Sequence, residues 1–238
     1  MIKQESFGAP IIENPGGAHM ACVLLLDTSY SMEGEPIDNL NKAIRDFRKH
    51  LSADEMVQKC LDICIISFNS EAKVILPFTP ISRMEPITLT VEGTTAMSKG
   101  IHLAIDMIKE RNRFYAEVGT PVYIPWIYMI TDGEPNPDDD IESARQRIEL
   151  EESKGKNGKL KFLALAVPGA DKKTLVELTR HQDNPRIMEL HNYNFETVLN
   201  WIAESMKLIS VSRVDENVPL PRLPEDVEKI DPKDTSGW

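Results

Sequence analysis

"LLLDTSYSMEGEPI", residues 24–37, decides the fold. An apolar run stops abruptly at Asp27. Two serines follow at alternate positions, Ser29 and Ser31, and Gly34 and Pro36 lead into a stretch with helical spacing. A nearly continuous apolar run ending this way fits a strand buried on both faces of a sheet. Pro36 suits a first helical turn, and Ile37, Leu40, Ile44, Phe47 and Leu51 fall on one helical face behind it. The unit is therefore strand, polar turn, helix.

The rest of the chain repeats that alternation. Strand-like runs lie at Met20–Leu26, Leu61–Phe68, Val74–Phe78, Val122–Ile130, Leu160–Val167 and Arg186–Leu190. Val74–Phe78 follows Asn69-Ser70 too soon for an intervening helix, so it is expected to pair antiparallel at a sheet edge. Helical stripes run through Met97, Ile101, Ala104, Ile105 and Ile108, through Ile141, Ala144 and Ile148 after the Asn136-Pro137 start signal, and through a short Leu175/Leu178 segment. A last stripe, Phe195, Val198, Leu199, Ile202, Met206 and Ile209, has Asn194 as its cap. The expectation is an α/β, Rossmann-like, doubly wound fold. Its sheet would be mainly parallel and six-stranded, with one antiparallel edge strand and helices on both faces. This core occupies residues 20–210. An arm rich in Gly and Pro precedes it (1–19). A charged tail with four prolines follows it (211–238), read as extended chain, disordered or wrapped on its own domain.

Composition narrows the function. Of 238 residues, 41% are apolar, enough for a full core, and the formal net charge is −11. That balance argues against a nucleic-acid backbone or an anionic membrane as partner, and suits a cation. No run of roughly 18 apolar residues suggests a transmembrane helix, and the N-terminus lacks a signal-like apolar core, so a cytoplasmic location is expected. The three cysteines, Cys22, Cys60 and Cys64, fall in strand-like runs and read as reduced core residues. A zinc site joining them with His19 is the sharper alternative.

In an open α/β sheet, ligands bind at the carboxyl ends of the strands, where strand order reverses. Three polar groups fall at such ends: Asp27-Thr28-Ser29-Tyr30-Ser31, "EGTTAMSKGI" at 92–101, and "MITDGEPNP" with Asp132. Together they offer two carboxylates and several hydroxyls, without histidine or cysteine. An all-oxygen set favours a hard cation: Mg²⁺, with Mn²⁺ or Ca²⁺ possible.

"DTSYS", "GTTAMSKGI" and "TDG" resemble, in order, the motifs of the von Willebrand factor A-type domain family and its metal-ion-dependent adhesion site. "VLLLDTSYSMEGEPI" looks especially like the small bacterial TerY-like tellurium-resistance proteins. The resemblance implies Asp27, Ser29, Ser31, Thr95 and Asp132 as metal ligands, with Thr94 the lesser choice for the threonine. It implies an open coordination position filled by a Glu or Asp of a partner protein. Partners of related bacterial domains include kinases, phosphatases and MoxR-type ATPases, in stress or tellurite resistance. Many family members carry Gly between the two serines. Tyr30 there disfavours a positive-φ turn and is expected to pack on neighbouring loops or to contact a partner.

Enzyme readings lack their motifs. A serine at position 29 breaks a phosphatase-like DxD, and no GxSxG elbow or Walker A lysine is present. The histidines at 19, 50, 102, 181 and 191 bear no motif relation to the serines. No catalytic residue is assigned; a metal-dependent hydrolase or phosphatase, and a scaffold with a vestigial site, are the alternatives. Asp138-Asp139-Asp140 reads as favourable charge at a helix N-terminus.

Overall fold

The computed structural model describes residues 10–132, 134–154, 159–182, 186–214, 216 and 218–231. In chain order these form β1 (Met20–Asp27), α1 (Glu35–Leu51), α2 (Glu55–Cys60), β2 (Leu61–Phe68), β3 (Ala72–Pro80), α3 (Met97–Val118) and β4 (Trp126–Thr131). Then follow α4 (Ile141–Glu152), β5 (Lys161–Ala166), α5 (Lys172–Thr179), β6 (Ile187–Leu190), α6 (Phe195–Ser210) and β7 (Val227–Lys229). The strands make one sheet in the order β3-β2-β1-β4-β5-β6-β7. The strands β2, β1, β4, β5 and β6 run parallel, while β3 and β7 pair antiparallel at the two edges.

The period of two along β1 builds both halves of the core. Met20, Cys22, Leu24 and Leu26 join the residues of α1 and α6 on one face. Ala21, Val23 and Leu25 join those of α3, α4 and α5 on the other. All eight residues of β1 are buried, as expected for a central strand of a doubly wound sheet. Strand order reverses at β1, whose neighbours are β2 on one side and β4 on the other. The loops after β1 and β4 therefore diverge to opposite faces, and a cleft opens between them.

Two glycines shape the approach to that cleft. Gly34 sits at φ +84°, a conformation that other residues rarely adopt, and turns the chain into α1. Gly100, in the first turn of α3, packs directly on the sheet: a Cβ there would lie 3.0 Å from Phe68 and 3.1 Å from Leu25.

Several expectations are corrected. The sheet has seven strands rather than six, because Val227–Lys229 from the tail adds beside β6. There are consequently two antiparallel edge strands rather than one. Val218, Leu220 and Leu223 pack on the core, and Trp201 Nε1 donates to the Pro221 carbonyl at 3.1 Å. The described part of the tail thus wraps its own domain. The arm is also tied down in part, since the Arg111 guanidinium donates to the Ile11 carbonyl at 2.7 Å. The strand expected over Val122–Ile130 begins only at Trp126, with Val122 confined to an isolated bridge to His19. Pro121 and Pro125 interrupt it by lacking a backbone donor. The helix expected behind Asn136-Pro137 starts at Ile141, with Asp140 as its cap.

Cys22, Cys60 and Cys64 are buried free thiols, as expected. The zinc alternative is not built. His19 Nδ1 is 2.9 Å from the Asp62 carboxylate, which also takes Arg111 at 2.9 Å and the Tyr115 hydroxyl. This buried network lies at the amino end of β2, far from the cleft. Among the described residues no group of three or more His, Cys, Asp or Glu side chains could hold a metal ion, and no helix is long and apolar enough to cross a membrane.

Candidate metal centre

The first loop closes on itself through Asp27, which is fully buried at the end of β1. Its Oδ1 accepts from the Ser29 amide at 2.9 Å and from the Ser29 hydroxyl at 2.6 Å. Its Oδ2 accepts from the Thr131 hydroxyl at 2.7 Å, across to the end of β4. Ser29 Oγ lies 2.9 Å from Ser31 Oγ. The loop is held without positive φ: Ser29 is extended at φ −68°, and a 3₁₀ turn runs over Tyr30–Met32. Tyr30 is thus accommodated in ordinary backbone, as its side chain requires. Tyr30 stands 64% exposed.

The second loop is stitched to the first by its backbone. Tyr30 N donates to the Gly93 carbonyl at 3.0 Å, and Glu92 N to the Thr28 carbonyl at 2.9 Å. Asn69, just past β2, adds a third stitch: its side chain donates to Thr28 Oγ1 at 3.3 Å and its carbonyl accepts from Ala96 N at 2.7 Å. The two threonines are then distinguishable. Thr94 is exposed and its hydroxyl meets Ser70 Oγ at 3.1 Å. Thr95 is buried, and among the described residues its hydroxyl has no hydrogen-bond partner.

The third loop locks onto the second. Asn136 accepts from the Thr95 amide at 3.1 Å through Oδ1, and its own amide donates to the Thr95 carbonyl at 2.9 Å. Asp139 accepts from Ser98 N at 3.0 Å and from the Ser98 hydroxyl. One aspartate of the acidic run therefore caps α3, not the helix that follows it. Asp140 caps that helix, α4, accepting from Ser143 N at 3.0 Å. In sequence Asn69 and Thr131 have no role, and Asn136 and Asp139 read only as signals for the helix that follows them. Each acts on a partner about 40 or more positions away, and no local pattern reports such a pairing.

Burial, reinforced by the nearby Asp132 carboxylate, pushes the Asp27 carboxyl up to about 6, against the hydrogen bonds from Ser29 and Thr131. Asp132 is half-buried, with Glu134 N donating to its Oδ1 at 3.3 Å. Among the described residues neither carboxylate has a Lys, Arg or His ion partner. A fully buried carboxylate with a second one near enough to raise it is costly to ionise. A divalent cation removes that penalty. The donors around them are hydroxyl and carboxylate oxygens, the chemistry that a hard cation takes. The residues present fit such an ion.

A family model for the von Willebrand factor type A domain matches residues 22–201. Comparison with curated proteins returned no match. Among solved structures, the chain is similar to proximal thread matrix protein 1 from the mussel byssus with a zinc-occupied MIDAS motif (TM-score 0.55, 14% identity, 81% of this chain and 46% of that one). It is similar to BatB from Bacteroides thetaiotaomicron (TM-score 0.52, 16% identity, 81% and 100%). It is also similar to the ArnB paralog VWA2 from Sulfolobus acidocaldarius (TM-score 0.51, 14% identity, 79% and 45%). The chain spans less than half the length of the byssus and Sulfolobus proteins. At these identities the likeness is one of fold. The chain belongs to the von Willebrand factor type A domain family.

Proposed function

We propose that the chain is a divalent-cation-dependent protein-interaction module in which Asp27, Ser29, Ser31, Thr95 and Asp132 hold the cation. One observation carries the reading: a fully buried aspartate lies near enough to a second carboxylate to be raised by it, with no cationic side chain among the described residues to balance either. When bound, the cation supplies a Lewis-acidic point that a carboxylate of a partner protein can occupy. Asp27 holds the Ser29 hydroxyl and amide in place, and Ser29 in turn holds Ser31. Asn136 holds the Thr95 loop. The protein thus arrives with its donors ordered, and little freedom is lost on binding.

Mg²⁺ is the expected ion for such oxygen donors, with Mn²⁺ and Ca²⁺ as alternatives; the zinc in the byssus protein makes Zn²⁺ a further ion to titrate. Resemblance of the three motifs to TerY-like proteins supports a cytoplasmic role in bacterial stress or tellurite resistance, with a kinase, a phosphatase or a MoxR-type ATPase as partner. The test is thermal unfolding with each metal and with EDTA. At a metal concentration about 100-fold above Kd, stabilisation of about 2.7 kcal/mol is expected, roughly 5–10 °C in Tm. Asp27→Ala and Ser29→Ala should remove it. A flat titration of the wild type would rule the reading out. A pull-down from the source cells with Mg²⁺ or EDTA, wild type against Asp27→Ala, then identifies the partner.

A further inference from the structure

The rim around Asp27 and Asp132 combines one exposed aromatic ring with an excess of unmatched carboxylates. Tyr30 stands on a fixed turn: its amide donates to Gly93 O at 3.0 Å and its carbonyl accepts from Glu33 N at 3.0 Å. An exposed ring on a held backbone loses little conformational freedom when covered. Glu33 and Glu35 follow it into α1, while Glu134 and Asp138 lie on the loop after β4; all four are exposed. Among the described residues none of these four has an ion pair. On the same end of the sheet Lys73 lies 4.0 Å from Glu92, Lys99 2.8 Å from Glu71 and Lys172 2.5 Å from Glu189. Exposed Lys173, next to Asp171 whose amide donates to the Asp132 carbonyl, has no ion pair among the described residues and leaves the four carboxylates in excess.

We propose that this rim docks a Lys- or Arg-rich segment of a partner protein bearing a single carboxylate. The carboxylate meets the cation, and a neighbouring cationic side chain covers the Tyr30 ring beside Glu33. The inference rests on the metal reading above and adds the charge of the partner to it. Asp27 and Asp132 balance the two charges of the ion, so the four rim carboxylates set the sign of the surrounding field. That field reaches about 8 Å at physiological salt. A partner whose carboxylate sits among other acids meets like charges along the whole rim, whereas a basic segment meets opposite ones. At contact, the face of Tyr30 favours an ammonium or guanidinium within about 6 Å of its centroid. The metal then selects a carboxylate, and the rim selects its neighbours.

The test is fluorescence anisotropy on the full chain with Mg²⁺, or with Mn²⁺ if that ion gives the larger Tm shift. The probes are three short labelled peptides with a central Glu flanked by Lys and Arg, by Gly and Ser, or by Asp, and a fourth, Lys/Arg-flanked, with Gln in place of the Glu. The expected order of affinity is basic above neutral above acidic, and the advantage of the basic peptide should shrink as salt rises from about 50 to about 300 mM. Tyr30→Leu, which keeps apolar area but no ring, should weaken the basic peptide by about two- to fivefold, and Tyr30→Trp should restore it. Glu33→Lys with Glu134→Lys should cost it about tenfold at low salt and favour the acidic peptide. Equal affinity for basic and neutral peptides, or no binding of either while the metal still raises Tm, overturns the inference and leaves the metal reading standing. Equal binding of the basic Glu and Gln peptides, with no loss of the Glu peptide in EDTA, shows instead that the metal reading has failed.

Discussion

Thr94 and Thr95 are neighbours in the chain with opposite surroundings. The Thr94 hydroxyl is taken by Ser70 at the surface, while the hydroxyl of buried Thr95 has no hydrogen-bond partner among the described residues and its amide is fixed by Asn136. If the Thr95 oxygen serves the cation, Thr95→Ala should weaken metal binding at least tenfold by calorimetric titration, the loss of about 1.4 kcal/mol. Thr94→Ala should change it little. Asn136→Ala removes no proposed ligand but frees the Thr95 amide. It should lower stability by about 1 kcal/mol in urea unfolding and weaken the metal by a smaller factor than Thr95→Ala. The motif already pointed to Thr95 over Thr94, but the part played by Asn136 was not legible. In sequence it reads as a helix start signal, and only the crossing of two loops turns its side chain to another task.

At the end of α4, Glu152 joins three elements. It accepts from the Phe162 amide, from His181 and from Gln182, each at 2.8 Å, and pairs with Arg186. Burial would raise its carboxyl, but the His181 hydrogen bond, the Arg186 charge and the amide donors outweigh that and hold it below 4.5. A lowered folded value means stability that is present above the ordinary carboxylate range and is lost as pH falls through the folded value. Glu152→Gln should therefore destabilise by about 1–3 kcal/mol at neutral pH, and the gap should close as pH falls below the ordinary carboxylate range in pH-dependent urea unfolding. The first turn of α3 gives a steric counterpart. Gly100→Leu would drive its side chain into Phe68 and Leu25, and should lower stability by about 1–3 kcal/mol without touching a proposed ligand. Helices α1, α3 and α6 were legible because apolar residues recur on one face. The short α2, capped by Asp54, was not, since six residues carry too little periodicity.

Over the whole molecule, the edge of the sheet depends on the tail. Val227 and Ile230 are buried on opposite faces of the sheet, and Val218, Leu220 and Leu223 cover apolar surface near α6. Ending the chain after Arg213 should lower Tm by several degrees, since burial of even a few such side chains is worth roughly 1.5–3 kcal/mol each. It should also expose the edge of β6, so light scattering on heating should begin earlier than in the full chain. The open end of the sheet and the cleft at β1 lie on one scaffold but answer to different forces: the first to apolar cover, the second to uncompensated charge.

What the sequence determined by itself was whatever is written locally. Buried strands read as apolar runs, amphipathic helices as stripes, and the stop at Asp27-Thr28-Ser29-Tyr30-Ser31 as polar groups at a strand end. Tertiary structure alone decided what depends on distant partners. It added β7, because a charged, proline-rich stretch becomes a strand only when β6 offers it an unpaired edge. It sent Asp139 to α3 and Asn136 to Thr95, because hydrogen bonds form with whatever folding brings near. It left Tyr30 exposed, and it brought the Asp132 carboxylate near Asp27 with no cationic partner for either among the described residues. The energy of an ionised group depends on distances that no reading along the chain contains.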